Sequence, residues 1–442
     1  MPLALAAAAT LACSEPLDVL LISVDTLRAD RLSGYGYARP TSPRVDAFLE
    51  SAVLFEDAHA NAAWTLPSLA SLLTSTYPAT HRCVDFSSSL DPSFVTLAEI
   101  LQTAGYRTVG IGSHTFLGED YGLQQGFADY DDDLVHDLEQ IEASHLAITS
   151  SILTEKAVAW LDERARSEGD GQPWLLWVHY FDPHYLYVEH DGISNRFGTV
   201  SPGDLYDGEI TFTDRHVGAL LGRLSTLGLD ESTLVVFLAD HGEEFGERSA
   251  HLPHGLHLFR EVMRVPLAIR DPRLPPRRVE ATVQLVDVLP TLLELLGIEW
   301  PSGFEGRSLV PTMRGRELPP REVLAQTAVN EGYRMDSLVS GQWKLIADRS
   351  GALETRLDGT LRLKAPMSPG RRPKRVLIDR YADPGERRDV RSTYPEVATR
   401  LAERLEALIA HAEERRGDFE EAPALELRDA RVEELRRLGY LE

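Results

Sequence analysis

The sequence predicts an α/β protein, a largely parallel, doubly wound sheet followed by a small antiparallel subdomain. Two observations carry this. The runs Asp18-Val-Leu-Leu-Ile-Ser-Val-Asp25 and Thr233-Leu-Val-Val-Phe-Leu-Ala-Asp240 are continuously apolar rather than alternating, as suits strands covered on both faces by helices. Around them, strand-like and helix-like segments alternate along the chain, the rhythm of parallel sheets with helical crossovers.

Taken in order, Leu97 to Ala104 has helical spacing, Tyr106 to Gly112 reads as a strand, Ser144 to Arg166 as a long helix, and Pro173 to Tyr180 as a strand. Tyr206 to Leu227 is a helix by its apolar periodicity and leads into the run that ends at Asp240. Arg264 to Arg270 adds a strand, and Leu285 to Gly297 a helix that closes on glycine, the residue suited to a left-handed cap. A Pro/Gly/Arg-rich connection, Trp300 to Arg321, separates the remainder. Strand-like pieces around Ser337 to Ala347 and Arg375 to Arg380 predict the antiparallel subdomain, and Tyr394 to Glu414 and Leu425 to Leu438 read as amphipathic helices. The expected organisation is a leader at 1–17, the α/β domain at 18–315, a C-terminal subdomain at 316–415 and a helical tail at 416–442.

Among 442 residues, 45 Lys and Arg face 69 Asp and Glu, and the balance of −24 argues against wrapping nucleic acid or adhering to anionic lipid. Cys13 and Cys83 are the only cysteines, so no disulfide framework is implied. The apolar, alanine-rich segment from Leu3 to Ala12 ends on small residues before Cys13, much like a bacterial lipoprotein signal. Cleavage there would leave Cys13 lipid-anchored, a periplasmic or outer-membrane lipoprotein of the bacterial cell envelope. The competing reading is a disordered alanine-rich N-terminus. No later stretch is long and apolar enough to span a bilayer.

Both long apolar runs stop on an acid, the second in Asp240-His241-Gly242-Glu243. Parallel strands place their last residues at one edge of the sheet, where open α/β sheets bind ligands, so Asp25, Asp240 and His241 would converge there. Two carboxylates and an imidazole make a divalent-metal shell suited to Ca²⁺, Mn²⁺ or Zn²⁺. Taken singly, each acid reads equally well as a helix cap; the matching ends of two strands favour the metal.

Between these sites, Thr65-Leu-Pro67-Ser68 opens an apolar helical pattern, with proline where a helix begins. Thr65 would stand at a helix N-terminus, where unpaired N–H groups and the macrodipole favour anions. In isolation it reads as an N-cap worth about 1 kcal/mol. Metal coordination would lower its hydroxyl pKa and make it a nucleophile. Histidines cluster after the strands: His184 in Asp182-Pro183-His184, and His251, His254 and His257 beyond Asp240. Imidazoles at that edge would bind an anionic ester or protonate its leaving group.

Together these residues resemble the sulfatase family of the alkaline-phosphatase superfamily. The similar blocks are Val24-Asp25-Thr-Leu-Arg28-Ala-Asp30, Thr65-Leu-Pro67-Ser68, Asp182-Pro183-His184, Ala239-Asp240-His241-Gly242-Glu243 and His254-Gly255 with Arg264-Val265-Pro266, in that order. Trp343-Lys344-Leu345 and Asp383-Pro384-Gly385-Glu386-Arg387 add to the likeness. The resemblance implies a three-layer α/β sandwich with a smaller antiparallel domain. It implies Asp25, Asp240 and His241 as ligands of one divalent metal, Thr65 as the nucleophile that also touches it, and His184 and His254 on the ester and its leaving group.

The departures narrow the chemistry. Sulfatases carry Cys or Ser in a Cys/Ser-x-Pro-x-Arg motif, converted to formylglycine; here Thr65 cannot be converted, and Leu69 stands for the arginine. Thr26 stands where many members have a further metal-binding acid, and Ser113, His114 and Thr115 where they often have Lys and His. Threonine at the nucleophile position resembles related phosphodiesterases and phosphoethanolamine- or glycerophosphate-transferases. The leading expectation is therefore a metal-dependent hydrolase of sulfate- or phosphate-type esters, phosphoester chemistry favoured. A lipid-anchored head-group transferase and a non-catalytic protein that binds anionic glycans are the competing readings.

Overall fold

The computed structural model describes residues 16–133, 149–166, 171–248, 254–330, 333–355, 361–363 and 374–427, with Val432 and Leu435. Cys13 and its leader, His251, and the predicted helical start at Ser144 lie outside the described residues.

Eight strands form the main sheet: β1 (Asp18–Val24), β2 (Val53–His59), β3 (Arg107–Gly112), β4 (Asp129–Asp131), β5 (Trp174–Tyr180), β6 (Thr233–Ala239), β7 (Arg264–Arg270) and β8 (Arg277–Gln284). Their order is β4-β3-β5-β1-β6-β7-β2-β8. All neighbours run parallel except β7, which is antiparallel to both β6 and β2. Strands β1, β5 and β6 lie at its centre, and every residue of these runs is buried except the partly buried Asp18 that opens β1; strands covered on both faces need no alternation.

Helices flank the sheet in two groups. One holds α1 (Pro43–Glu50); the other begins with α2 (Thr65–Thr74) and α3 (Leu97–Thr103). The long helices α4 (Thr149–Arg166) and α5 (Pro202–Thr226) pack on each other and α5 on α1, whereas α6 (Val288–Leu296) packs on α2. α3 starts with a reciprocal capping box between Thr96 and Glu99, and α6 ends on Gly297 at φ 69°, the left-handed cap its glycine predicts.

Beyond residue 322, β9 (Val323–Asn330), β10 (Tyr333–Ser340), β11 (Trp343–Asp348) and β14 (Lys374–Asp379) form an antiparallel sheet, with β12 (Leu353–Thr355) and β13 (Leu361–Leu363) as a separate ribbon. Helix α7 (Pro395–Arg415) lays Leu401, Leu405 and Ile409 against Leu338, Leu345 and Leu377 of that sheet. The subdomain is joined to the main sheet through Asn61, whose side chain donates to the Gln284 amide oxygen at 2.9 Å and to the Leu324 carbonyl at 2.9 Å.

Two segments differ in detail from the expected organisation. The Trp300–Arg321 connection contains a helical turn, Val310–Met313. Only part of the expected helical tail is described: Arg416–Asp418 form a short 3-10 turn, residues 419–427 are irregular, and Val432 and Leu435 are helical. Leu425 instead donates its N–H to the Ser87 carbonyl at 2.7 Å, so this segment is stitched along the main domain rather than coiled. The remainder of the expected helix up to Leu438 lies largely outside the described residues.

Candidate active site

Register, not sequence distance, brings the acids together. Val24 of β1 pairs with Tyr180 of β5 on one side and Ala239 of β6 on the other, so the next residues on β1 and β6, Asp25 and Asp240, emerge side by side at the carboxyl edge. Both are fully buried, as are Thr65 and His241. Asp25 Oδ1 lies 3.5 Å from His241 Nε2, Asp240 Oδ2 lies 3.5 Å from the same nitrogen, and Thr65 Oγ1 is 3.4 Å from both Asp25 Oδ2 and His241 Nε2.

The donor set suits a divalent cation. Among the described residues, Asp25 Oδ1 and Asp240 Oδ2 have no hydrogen-bond partner despite complete burial, whereas Asp240 Oδ1 accepts from the N–H groups of Thr26 and His241. Burial, then the neighbouring Asp240, push the Asp25 carboxyl well above the usual range; two such carboxylates call for a positive charge between them. His241 donates from Nδ1 to the Gly242 carbonyl at 2.9 Å, which leaves the Nε2 lone pair facing the carboxylates, the tautomer a metal ligand needs. The ligand atoms of Asp25, Asp240 and His241 all lie within 4.8 Å of one another.

The backbone supports this cluster closely. A Cβ on Gly242 would sit 2.2 Å from the Glu261 carbonyl oxygen, so glycine alone fits between the loop and the helical turn Arg260–Met263 behind it. Thr65 is the first residue of α2, following Trp64 in extended conformation with no side-chain cap. Ser68 Oγ donates to the Asp240 carbonyl at 2.6 Å and fastens the helix to the end of β6.

A ring of imidazoles closes the site. His184 and His254 have ring centroids 4.9 Å apart, and His254 lies 4.8 Å from His241. His184 donates from Nδ1 to the Tyr185 carbonyl, and His254 Nδ1 is 2.9 Å from Glu243 Oε1, so both rings can turn Nε2 elsewhere. Burial holds the His254 imidazole well below its usual range and pushes the Glu243 carboxyl up to about 8.

All six expected residues, Asp25, Thr65, His184, Asp240, His241 and His254, meet at this edge. His257 does not join them; its Nε2 binds Glu244 at 2.8 Å behind the loop. Two histidines with little or no part in the sequence reading do join. His114, at the end of β3, and His179, on β5, each bring Nε2 to 3.6 Å from Asp25 Oδ2. Asp25, His114 and His184 also come within ligand spacing. However, the Phe116 N–H donates to His114 Nδ1, so the neutral ring carries its proton on Nε2 and offers a donor to an anion rather than a lone pair to a metal. The signal for His179 was a lone polar residue inside Trp-Leu-Leu-Trp-Val-His-Tyr.

This fold and its buried carboxylate, imidazole and hydroxyl cluster define a hydrolase of ester bonds. The chain belongs to the sulfatase family, whose family model, Sulfatase, matches residues 18–298. It is 28% identical over 329 residues to an ulvan-active sulfatase of Formosa agariphila, an alignment covering 66% of this chain and 64% of that protein. It is 26% identical to arylsulfatase A of Bos taurus over 472 residues, covering 92% of this chain and 89% of the relative. Among solved structures, the phosphonate monoester hydrolase of Agrobacterium radiobacter superimposes with a TM-score of 0.74 at 21% identity, covering 90% of this chain and 96% of that one. The fold is thus shared with enzymes of both sulfate and phosphonate esters.

Proposed function

We propose that this protein is a metal-dependent phosphoester hydrolase that uses Thr65 as its nucleophile. The observation that carries the reading is the position of Thr65 Oγ1, 3.4 Å from Asp25 Oδ2 and 3.4 Å from His241 Nε2, at the start of a buried helix. A divalent cation held by Asp25, Asp240 and His241 would supply Lewis acidity and lower the pKa of the hydroxyl.

The remaining work falls to the chain. The N-terminus of α2 stabilises negative charge developing at Thr65. In the first step the Thr65 hydroxyl proton passes to Asp25 Oδ2, to which it already donates, the Oγ–P bond forms, the P–O bond to the leaving group breaks, and a proton from His254 passes to the departing oxygen while His184 holds the ester. Water then attacks phosphorus and returns a proton to His254 as the Oγ–P bond breaks, and Thr65 Oγ recovers its proton from Asp25, releasing the phosphate product. His114, whose Nδ1 accepts from the Phe116 N–H, would donate from Nε2 to an ester oxygen. Burial of the whole cluster excludes competing water and strengthens each polar contact.

Threonine supports phosphorus over sulfur as the reacting centre. A sulfated threonine lacks the hemiacetal route by which formylglycine expels sulfate. The relatives also suggest where such an ester resides: one is named for activity on ulvan, and a structural neighbour is a complex with a neocarrahexaose, which favours an anionic ester carried on a glycan. Attachment to the cell envelope through Cys13 belongs to the same reading, and palmitate labelling lost in Cys13→Ser tests it.

Metal-reconstituted protein should therefore cleave an aryl phosphodiester or aryl phosphate faster than an aryl sulfate, and Thr65→Ala should lose that turnover. Faster sulfate cleavage would reverse the substrate assignment; turnover surviving in the variant would remove Thr65 from its role.

A further inference from the structure

The protein carries a net charge of −24, yet one groove of about 650 Å³ is lined by five arginines, Arg277, Arg278, Arg307, Arg316 and Arg321, against two glutamates, Glu280 and Glu317. It runs along β8, the terminal strand of the main sheet. That strand stands four positions from β1, roughly 19 Å at the usual strand spacing, so the groove is separate from the Asp25 site.

The cations are unevenly committed. Arg321 binds Asp287 at 2.7 Å, and Arg278 pairs at the exposed surface with Glu56 at 3.1 Å and donates to the Gly34 carbonyl at 3.0 Å. Arg277, Arg307 and Arg316 have no carboxylate within ion-pair distance among the described residues, while most other arginines of the main domain do. The Arg277 guanidinium packs under Gly315, where φ is 81° and a Cβ would lie 2.8 Å from Nη2, so its position is set by the opposite wall. At the rim, Tyr381 is 73% exposed, an aromatic face open to a flat, weakly polar partner such as a sugar ring. Arginines on an edge strand guard against strand pairing. That accounts for Arg277 and Arg278 but not for Arg307, Arg316 and Arg321, which reach the groove from the facing segment.

We propose that this groove binds a segment of an anionic polysaccharide, so that a polymer stays on the protein while its ester groups are presented at the active edge. The binding stands independently of the catalytic reading; only its use during turnover rests on it. Affinity electrophoresis through gels cast with dextran sulfate or neutral dextran tests it, each mobility normalised to a polymer-free gel. Dextran sulfate should retard the wild type and dextran should not. The double variant Arg277→Gln, Arg316→Gln should bind dextran sulfate roughly tenfold more weakly or worse, with an unchanged melting temperature showing that it is folded. Equal retardation of a folded variant, equal retardation by neutral dextran, or equally tight binding to duplex DNA would each overturn the assignment. Loss of aryl ester turnover in the wild type would instead count against the catalytic reading alone.

Discussion

His254 Nδ1 sits 2.9 Å from Glu243 Oε1, with both side chains fully buried. Glu243 follows the Asp240-His241 pair by two residues, so one loop carries both proposed ligands and the group that pairs with the imidazole. A partner on one ring nitrogen determines what the other can do. Glu243→Ala is expected to lower kcat by about 10- to 100-fold while leaving metal content unchanged. The loss should grow with the pKa of the leaving alcohol, because a misaligned His254 fails most where protonation matters most. A series of aryl esters of graded leaving-group pKa measures this.

Asp25 and Asp240 repel one another when nothing lies between them. In chelator-treated protein, Asp240→Asn should therefore melt at a higher temperature than the wild type, since it removes one of two adjacent buried charges. With Mn²⁺ or Zn²⁺ restored the order should invert, because the wild type gains ligand-linked stability that the variant cannot. Thermal melts with and without metal decide it.

Much of this centre was legible in the sequence because its ligands end strands whose apolar character is unmistakable. Asp25 and Asp240 close runs in which every following β1 and every β6 residue is buried, and parallel register does the rest. What escaped notice lies where burial is one-sided or hidden. β2 has Glu56 and Asp57 at its centre, beside a register shift, and β8, an edge strand, reads Arg-Arg-Val-Glu-Ala-Thr-Val-Gln; neither shows a continuous apolar run. β7 looks like its neighbours although it runs antiparallel, since direction leaves no mark on composition. His179 was masked by the tryptophans and leucines around it. His114 stands in the sequence only as part of Ser113-His114-Thr115, where the family often has Lys and His, and its place beside Asp25 depends on the β3–β5 pairing, which pairs Gly112 with His179.

Asp18, which opens β1, gives a pH test away from the active edge. Burial raises its carboxyl to about 7, despite the Trp174 N–H that it accepts. The folded state thus binds this proton more tightly than the unfolded chain does. Stability from this group is complete below about pH 4 and is lost as pH rises to about 7. Asp18→Asn keeps the acceptor but cannot ionise. Its melting temperature should match the wild type near pH 4, exceed it increasingly up to pH 7, and hold a constant gain above that. A gain independent of pH would contradict the assignment.

Two sequence blocks far from the centre meet in the C-terminal subdomain: Lys344 Nζ binds Glu386 Oε2 at 2.8 Å, with both side chains almost wholly buried. Arg248, on the loop that carries His254, donates to the Glu386 and Gly385 carbonyls and pairs with Glu261 at 2.6 Å. Lys344→Met would leave Glu386 buried and uncompensated, a loss of about 3–5 kcal/mol. Urea unfolding should show it, and Lys344→Met combined with Glu386→Gln should recover part of the loss.

The reacting phosphorus is expected to pass through Thr65. Metal-loaded protein mixed with an aryl phosphodiester, quenched within the first turnover and digested, should yield a phosphorylated peptide whose modified residue is Thr65, absent from Thr65→Ala. Phosphodiester turnover with no modified peptide, together with undiminished turnover by Thr65→Ala, would contradict the account.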